Sequence, residues 1–254
     1  TYAMIQVYAR MFGARVVTVG YSNELVLDLR KLYKSCGSDT KMAVLPNPNQ
    51  PTGTLLPKDV LEKLIQKAVD NDFLLVLDEA YGEFSNHESA VGLVKERNNV
   101  CVLRTFSKAW GLAGVRLGYM VGEAALIKEV RKVKPLLDIN MFAIKTASFL
   151  IDRYDLVQDY VAEVCLGREY VVSKLEQAGF ECISGCANFI HIRLPDNVKP
   201  EHIEARLSDE GFKVRTAGGT ATVLDGCIRA TIGPRAQMRD FLKQLLLALD
   251  SESS

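Results

Sequence analysis

Short apolar runs alternate with helical patterns through the first half of the chain, and this alternation constrains the fold more than any other feature. The runs predict strands at 42–45, 73–77, 100–104 and 117–121, and a helix from Pro57 to about 71 separates the first two. Strands that alternate with helices favour an α/β fold with a three-layer, open and mainly parallel sheet. Ligands of such sheets bind beyond the carboxyl ends of the strands. We therefore expect the functional residues in the segments that follow these strands.

Polar segments follow three of the predicted strands. The first, 46–53, holds three prolines and a glycine, which exclude a helix or a central strand and indicate a rigid loop. The second is Asp78-Glu79-Ala80-Tyr81, and the third runs from 105 to 116 around Lys108. All three segments therefore stand where sheets of this kind bind their ligands.

The third segment places Lys108 between two predicted buried strands, eight positions before Arg116. One interpretation is a surface loop with a solvated lysine and a solvated arginine. The other is a Schiff-base lysine, whose ε-amine bonds a carbonyl cofactor while Thr105, Ser107 and Arg116 hold the phosphate of that cofactor. The short motif by itself leaves both interpretations open.

The second segment begins with an aspartate at the end of the most apolar predicted strand. A carboxylate there is costly unless a cation or a hydrogen-bond donor faces it. Asp78 would pair with a protonated pyridine nitrogen, and Tyr81 would bring its hydroxyl to the phenolic oxygen of the same ring. The alternatives are a helix N-cap for Asp78 and a half-buried core aromatic for Tyr81.

The second half of the chain departs from the strand–helix alternation. A helical pattern runs almost unbroken from 141 to about 177, with a kink near Asp152-Arg153, and its length suggests a link between two domains. We predict a large α/β domain over 1–150, and over 151–254 the linking helix with a smaller α+β domain. The other predicted elements are helices at 2–12, 25–35, 124–133, 200–210 and 234–249, and strands at 15–19, 189–194, 213–215 and 227–232.

Composition narrows the classes of function. The formal net charge is zero, so no basic field indicates nucleic acid, and no apolar run reaches membrane-spanning length. The six cysteines form no CxxC pair, and with only three histidines they argue against a metal site. We expect no nucleic-acid or membrane partner and a reducing, cytoplasmic location.

Three ordered motifs carry a resemblance to a known family: NPNQPTG at 47–53, DEAYGEF at 78–84 and RTFSKAWGLAGVRLGY at 104–119. Together they resemble the aminotransferase class I/II family, the fold-type I enzymes that use pyridoxal 5'-phosphate, and its histidinol-phosphate aminotransferase branch most closely. The resemblance extends from residue 1 to the segment at 228–233. It implies an aspartate-aminotransferase-like large domain and a homodimer.

The resemblance implies cofactor-binding roles at the matching positions. Lys108 would form the Schiff base and later move the α-proton, Asp78 would hold the pyridinium nitrogen, and Tyr81 would hold the phenolate oxygen. The residues that would bind the phosphate are Thr105, Ser107 and Arg116, and Tyr2 would stack on the ring.

In the C-terminal part the resemblance implies substrate binding. Arg229 would take the α-carboxylate as a bidentate pair, Arg215 would hold a distal phosphate, and Asn188 would lie near the carboxylate. The alternative for each of the three is a surface role.

The chain also departs from the family pattern. Gln50 stands where an asparagine usually donates to the phenolic oxygen, so either Gln50 or the neighbouring Asn49 would make that contact. The family also has a strand, a helix and a phosphate-capping glycine turn before the segment that matches residue 1, and a tyrosine that crosses the dimer. We expect these 254 residues alone to bind the cofactor weakly.

These features predict an aminotransferase that exchanges an amino group between an amino acid, or an amino phosphate such as histidinol phosphate, and a 2-oxo acid. A decarboxylase of a phosphorylated amino acid uses the same lysine, aspartate and arginines and is the enzymatic alternative. The alternative from another class is a non-catalytic remnant of the same fold.

Overall fold

The computed structural model describes residues 2–94, 97–218 and 222–252. The chain divides into two compact units, which are described separately below. The first unit comprises Thr1–Gly20 and Leu27–Val157, and the second comprises Tyr21–Val26 and Gln158–Ser254. The predicted domain boundary at residue 150 stays a prediction.

The first unit contains a four-stranded sheet. Its strands are β1 (Met42–Pro46), β2 (Leu74–Asp78), β3 (Val100–Thr105) and β4 (Gly118–Gly122), in that order across the sheet. The first three strands run parallel, and β4 pairs with β3 in the antiparallel direction. The prediction of an open, mainly parallel α/β sheet is confirmed.

Helices connect these strands and flank them in sequence. They are α1 (Ala3–Met11), α2 (Leu29–Ser35), α3 (Lys58–Asp70), α4 (Val91–Val94), α5 (Ala124–Arg131) and α6 (Met141–Ile151). A seventh helix, α7 (Tyr154–Gln177), begins in the first unit and ends in the second. The long helical pattern is therefore interrupted at the predicted position, Asp152-Arg153.

The core of the first unit forms around β2. The side chains of Leu75 and Leu77 are almost fully buried, and they belong to one apolar cluster with Leu64 and Ala68 of α3. Those helical residues are four positions apart, so they lie on the same face of α3. A central strand of a parallel sheet is covered on both faces, which explains why β2 reads as a continuous apolar run. This burial fixes the position of Asp78 at its end.

The second unit contains an antiparallel sheet and two further helices. Its strands are β5 (Cys182–Ser184), β6 (Phe189–Arg193), β7 (Arg215–Thr216) and β8 (Cys227–Thr231), with the spatial order β5-β6-β8-β7. The helices are α8 (Pro200–Asp209) and α9 (Arg235–Glu252). The α+β pattern predicted beyond Gly179 is present in this unit, and β5 is an addition to it.

Two local predictions near the N-terminus are wrong. The segment 15–19 pairs with no other strand among the described residues. An apolar segment forms a strand only where a neighbouring strand provides backbone hydrogen bonds, so its sequence pattern alone was misleading. The helix predicted over 25–35 is shorter, since α2 begins at Leu29. The Asp28 carboxylate caps it by accepting a hydrogen bond from the Lys31 amide at 2.9 Å, and Leu25 has a left-handed backbone (φ 57°).

None of the helices in the described ranges combines the length and apolar character needed to cross a membrane. All six cysteines are free thiols. Burial raises the pKa of Cys101, in β3, to about 11. A thiol with such a pKa is a poor nucleophile, so Cys101 acts as a packing residue.

Gly167 lies in α7 at a point where the helix leaves no room for a side chain. A β-carbon there would overlap the carbonyl oxygen of Gly233 and would approach the side chain of Met238 at 3.3 Å. We expect Gly167→Ala to lower the free energy of unfolding by about 1–3 kcal/mol, because the blocking atom is backbone. Urea unfolding measures this change. The control is Gly92→Ala, where nothing lies within 4 Å, and equal stability of the two variants would contradict the expectation.

Candidate active site

The polar segments of the first unit start side by side because their strands are in register. Asp78 pairs with Pro46 on one side and Leu103 on the other. The backbone continues this pairing past the strands, since the Asn47 amide donates to the Asp78 carbonyl and the Glu79 amide donates to the Leu103 carbonyl, each at 2.9 Å. The sheet therefore places the first residues of two predicted segments together and brings the third close to them.

Asp78 is a half-buried carboxylate without an ion-pair partner in the described part of the chain. Its Oδ1 accepts one hydrogen bond, from the Ala80 amide at 3.1 Å. Burial raises the pKa of Asp78, against the opposing effects of the Ala80 amide and the charge of Lys108. The helix N-cap alternative is not observed, because the next helical turn is the 3-10 helix Gly82–Phe84, which Tyr81 precedes. A cation at this carboxylate would relieve the cost of its burial.

Lys108 lies close to Tyr81 and within electrostatic range of Asp78. Its Nζ atom is 5.1 Å from the centroid of the Tyr81 ring. The backbone holds the lysine in a four-residue turn, in which the Gly111 amide donates to the Lys108 carbonyl at 3.0 Å and Gly111 has a positive φ of 68°. The structure therefore brings together the three residues for which the sequence predicts catalytic roles.

Thr105 and Ser107 shape the loop that precedes the lysine. The Ser107 amide donates to Thr105 Oγ1 at 3.0 Å, and this hydroxyl lies 3.4 Å from the Leu117 carbonyl oxygen, to which it donates. Arg116 follows with a left-handed backbone, and its exposed guanidinium donates to the Ala113 carbonyl at 3.0 Å. The structure thus places Arg116 at the far end of the loop, with no hydrogen bond to the two hydroxyl residues.

The Asn-Pro loop is held together by its own side chains. The Asn49 amide donates to Thr52 Oγ1 at 2.7 Å, and Asn49 is buried. Gln50 is half-buried, and in the described ranges its side chain makes no hydrogen bond. Asn49 is therefore committed to the loop, and of the two amides Gln50 is the one available to a ligand.

Tyr2 is not joined to this group. Its side chain is 59% exposed and directly precedes α1. Among the described residues, the recorded contacts of Tyr2 are with the backbone of its own helix. Its predicted stacking role stays a prediction.

The second unit places two of the three predicted substrate-binding residues, Arg215 and Arg229, in one row across the sheet. Arg215 pairs directly with Arg229 across β7 and β8, and Arg229 pairs with His191 across β8 and β6. Directly opposed residues of antiparallel strands share a face of the sheet, and like charges so placed repel each other. Arg215 is exposed, whereas Arg229 is half-buried and lies 5.6 Å from the centroid of the Phe189 ring.

The groups around this row set its charge. The Glu204 carboxylate accepts hydrogen bonds from the amide and hydroxyl of Thr216, at 2.9 and 2.8 Å, and these bonds, with a smaller effect from Arg215, lower the pKa of Glu204. Asn188 precedes β6, and its carbonyl accepts from the Ile232 amide at 2.8 Å. The arginine pair therefore forms a concentration of positive charge suited to an anion, with one carboxylate near Arg215.

Sequence reasoning missed a buried set of charged residues in the first unit. Arg104 bonds to Glu79 and Glu83, each at 3.0 Å, and Trp110 Nε1 donates to Glu83 at 3.1 Å. The sequence did contain a signal for this set: Arg104, Glu79 and Glu83 stand in otherwise apolar stretches, where a charged side chain needs a buried partner.

A mainly parallel sheet with an aspartate, a tyrosine and a lysine gathered at one edge is the arrangement of a pyridoxal-phosphate-dependent enzyme of fold type I. Comparison with known families supports this class, because the family described as aminotransferase class I and II matches residues 1–245. The chain belongs to the aminotransferase class I and II family. The predictions of the family, of a pyridoxal-phosphate-dependent transaminase and of its cofactor are confirmed.

Individual relatives agree with this assignment. The chain is 34% identical over 246 residues to histidinol-phosphate aminotransferase 1 of Carboxydothermus hydrogenoformans, and the match covers 96% of the chain and 68% of that protein. It is 33% identical over 248 residues to histidinol-phosphate aminotransferase of Brachyspira hyodysenteriae, with 96% and 68% covered.

A solved structure resembles the whole described fold. The crystal structure of histidinol-phosphate aminotransferase from Sinorhizobium meliloti in complex with pyridoxal-5'-phosphate matches with a TM-score of 0.85 and 26% sequence identity. The match covers 98% of this chain and 68% of that one. The chain therefore spans about two thirds of the length of each of these three proteins.

Proposed function

We propose that this chain belongs to an aminotransferase that exchanges an amino group between a 2-oxo acid and an amino acid or amino phosphate similar to histidinol phosphate. The observation that carries the proposal is the cluster of Asp78, Tyr81 and Lys108 at the carboxyl edge of the sheet. The names of the relatives support a substrate with a distal phosphate.

The residues present fit pyridoxal phosphate. Asp78 is half-buried, its pKa is raised by that partial burial, and it forms no ion pair within the described ranges. A protonated pyridine nitrogen would supply the missing positive partner, and a carboxylate in this position keeps that nitrogen protonated. When bound, the cofactor ring withdraws electrons from the carbon that carries the amino group.

Lys108 would attach the cofactor through Nζ and would then carry the α-proton of the substrate. Its Nζ lies 5.1 Å from the Tyr81 ring centroid, and the hydrogen bond from the Gly111 amide to the Lys108 carbonyl holds the backbone around it in a turn. The Tyr81 hydroxyl would donate to the phenolic oxygen, beside Gln50 in place of the asparagine usual in the family. Thr105, Ser107 and Arg116 would bind the phosphate.

Arg229 would recognise the α-carboxylate of a substrate that carries one, and Arg215 would recognise a distal phosphate. Two guanidinium groups opposed across a strand pair repel each other, and an anion that bridges or separates them relieves that repulsion. Arg229 is half-buried, so its charge is the less screened of the two, which suits a bidentate contact to a carboxylate. Asn188 would assist at that carboxylate.

A second copy of the chain is the proposed partner. The first unit exposes large apolar side chains on α6, among them Met141 at 64% and Phe142 at 83% exposure, and Phe12 after α1 is 87% exposed. Surface of this character is typical of a protein–protein interface. A homodimer in a reducing, cytoplasmic setting accords with these residues and with the free cysteines.

Substitution of the two arginines tests the assignment of substrate. Arg215→Ala is expected to raise KM for phosphorylated amines by about 10- to 100-fold and to change KM for unphosphorylated amino acids by less than about threefold, because it removes a charged contact of about 1.5–3 kcal/mol. Arg229→Ala is expected to impair every substrate that carries an α-carboxylate. Steady-state kinetics on matched phosphorylated and unphosphorylated substrates measures both effects.

The matched control is Arg235→Ala, since this arginine begins α9 and lies outside the row. Equal losses on both kinds of substrate in the Arg215 and Arg229 variants would rule out the division of roles.

A further inference from the structure

A buried network of charged side chains links the two segments that carry the proposed cofactor residues. Arg104 donates through Nη1 to Glu79 and through Nη2 to Glu83, each at 3.0 Å. Trp110 Nε1 donates to the same Glu83 oxygen at 3.1 Å. The side chains of Glu79 and Glu83 are only 2% and 4% exposed. Charges buried to this extent are tolerated only with well-placed partners, so these contacts fix their geometry.

The two carboxylates differ in how many partners they have. Glu79 also accepts from the Ser89 hydroxyl at 2.6 Å and from the Ala90 amide at 2.7 Å. Glu83 accepts from Arg104 and Trp110. Although burial by itself lowers the pKa of Arg104, Glu83 and Glu79 outweigh that effect and raise it above the ordinary value. The same oxygen of Glu83 therefore accepts from both the Arg104 guanidinium and the Trp110 indole.

Each member of the network is close in sequence to a proposed cofactor residue, although none is proposed to touch the cofactor. Glu79 follows Asp78, Glu83 lies two positions after Tyr81, Arg104 precedes Thr105, and Trp110 lies two positions after Lys108. The network thus connects the segments that follow β2 and β3, the two strands whose ends carry Asp78, Tyr81 and Lys108.

The bond between Trp110 and Glu83 joins the two most important of these segments. Trp110 is the third residue of the turn that the Lys108 carbonyl closes with the Gly111 amide. Glu83 is the middle residue of the 3-10 helix that begins after Tyr81. This hydrogen bond therefore joins the backbone that carries Lys108 to the backbone that carries Tyr81, beyond the point where β2 and β3 pair.

We propose that Trp110 and Glu83 are positioning residues that align Nζ of Lys108 with Tyr81 and the cofactor. This inference rests on the proposed function. Displacement of a reacting group by about 1 Å can cost about 100-fold in rate, so the loss of this bond acts on the chemical step. In the proposed function Arg215 and Arg229, which are not members of the network, bind the substrate anions, so we expect substrate affinity to change little.

The packing of Trp110 allows its hydrogen bond to be tested apart from its bulk. The indole ring lies 4.9 Å from the Phe106 ring and 5.4 Å from the Tyr154 ring, measured between centroids. Phenylalanine at this position keeps an aromatic ring beside these two neighbours, but it removes part of the indole ring together with the N–H donor. Glu83→Met tests the same bond from the other side, because it keeps Trp110 whole and the side-chain length similar but removes the oxygen that accepts from Nε1.

The experiment measures kinetics and spectra of the cofactor-loaded chain. We expect Trp110→Phe and Glu83→Met each to lower kcat by about 10- to 100-fold and to change KM by less than about threefold. The pH dependence of the visible absorbance of the bound cofactor is expected to shift, because it reports the surroundings of the Lys108 nitrogen. The matched control is Tyr33→Phe, which removes one hydrogen bond to the Val60 carbonyl (3.3 Å) in the same unit.

A second readout needs no activity. Trp110 is the only tryptophan, so its fluorescence in the cofactor-free Glu83→Met variant reports directly on the loss of its partner through a changed emission maximum. Wild-type kcat, pH profile and emission in Glu83→Met would overturn the proposal, as would losses no larger than those of Tyr33→Phe. An active Lys108→Ala variant refutes the proposed function itself, whereas an inactive one beside an unaffected Trp110→Phe refutes only the positioning role.

Discussion

Lys108→Ala is expected to lower amino transfer by roughly 10⁴-fold or more and to remove covalent attachment of the cofactor. The physical reason is that one amine has two tasks, a covalent bond to the cofactor and transfer of the α-proton, and no other amine of the loop can replace it. Nζ of Lys108 lies 5.1 Å from the Tyr81 ring centroid, in a turn that is closed by the Gly111 amide. The measurement is the initial rate of 2-oxo acid formation, together with visible absorbance after dialysis.

Two controls separate this chemical loss from damage to the fold. Lys132→Ala removes an exposed lysine that pairs only with Glu129 on the same stretch of chain, and it is expected to behave like the wild type. A small primary amine added to Lys108→Ala is expected to restore part of the proton transfer, because the vacant space can admit it. Retention of a borohydride-stable adduct on another lysine of Lys108→Ala would show that the attachment site is misassigned.

Asp78→Asn is expected to reduce turnover by about 10²-fold or more while making the cofactor-free chain more stable. The loss of turnover follows from the loss of the carboxylate that keeps the pyridine nitrogen protonated. The gain in stability follows from the raised pKa of the half-buried carboxyl. Since the folded chain holds this proton to higher pH than the unfolded chain, stability falls as pH rises from the unfolded to the folded pKa and remains reduced above it.

Thermal unfolding of the cofactor-free chain at several pH values measures this effect. We expect Tm of Asp78→Asn to exceed that of the wild type at neutral pH by a few degrees, since about 1 kcal/mol shifts Tm by about 2–4 °C in a chain of this size. The difference is expected to vanish at acidic pH, where Asp78 is protonated. Asp59→Asn is the control, because Asp59 is exposed and Lys63 lowers its pKa. A lower Tm in Asp78→Asn, or normal turnover, would contradict the proposed role.

Much of the first unit could be predicted from sequence because burial leaves a clear pattern there. The central strand of a parallel sheet is apolar throughout, so the position of Asp78 at its end was visible from its neighbours. The segment 15–19 has a similar apolar pattern but no partner strand among the described residues. The apolar pattern concerns a single segment, whereas a strand forms only when two segments pair through their backbones. The prediction for 15–19 was wrong for this reason.

The parts of the site that could not be predicted depend on contacts distant in sequence. The bonds from Arg104 to Glu79 and Glu83 join residues more than twenty positions apart, and the sequence shows only three charges in apolar surroundings. The direct opposition of Arg215 and Arg229 depends on the register of a two-residue strand, which no pattern reveals. The motifs predicted the residues that we propose to contact the ligand, whereas the bonds among Arg104, Glu79, Glu83 and Trp110 required the structure.

A single half-reaction tests the central claim most directly. The cofactor-loaded chain is mixed, without a 2-oxo acid, with an amino acid that carries a second anionic group, and the carbonyl product and CO₂ are both measured. We expect about one molecule of 2-oxo acid per active site, matched by conversion of the cofactor to its amine form, and no CO₂. We expect no reaction in Lys108→Ala. Release of CO₂ would instead indicate a decarboxylase, and the absence of both products from a chain that binds the cofactor at Lys108 would contradict catalysis of amino transfer.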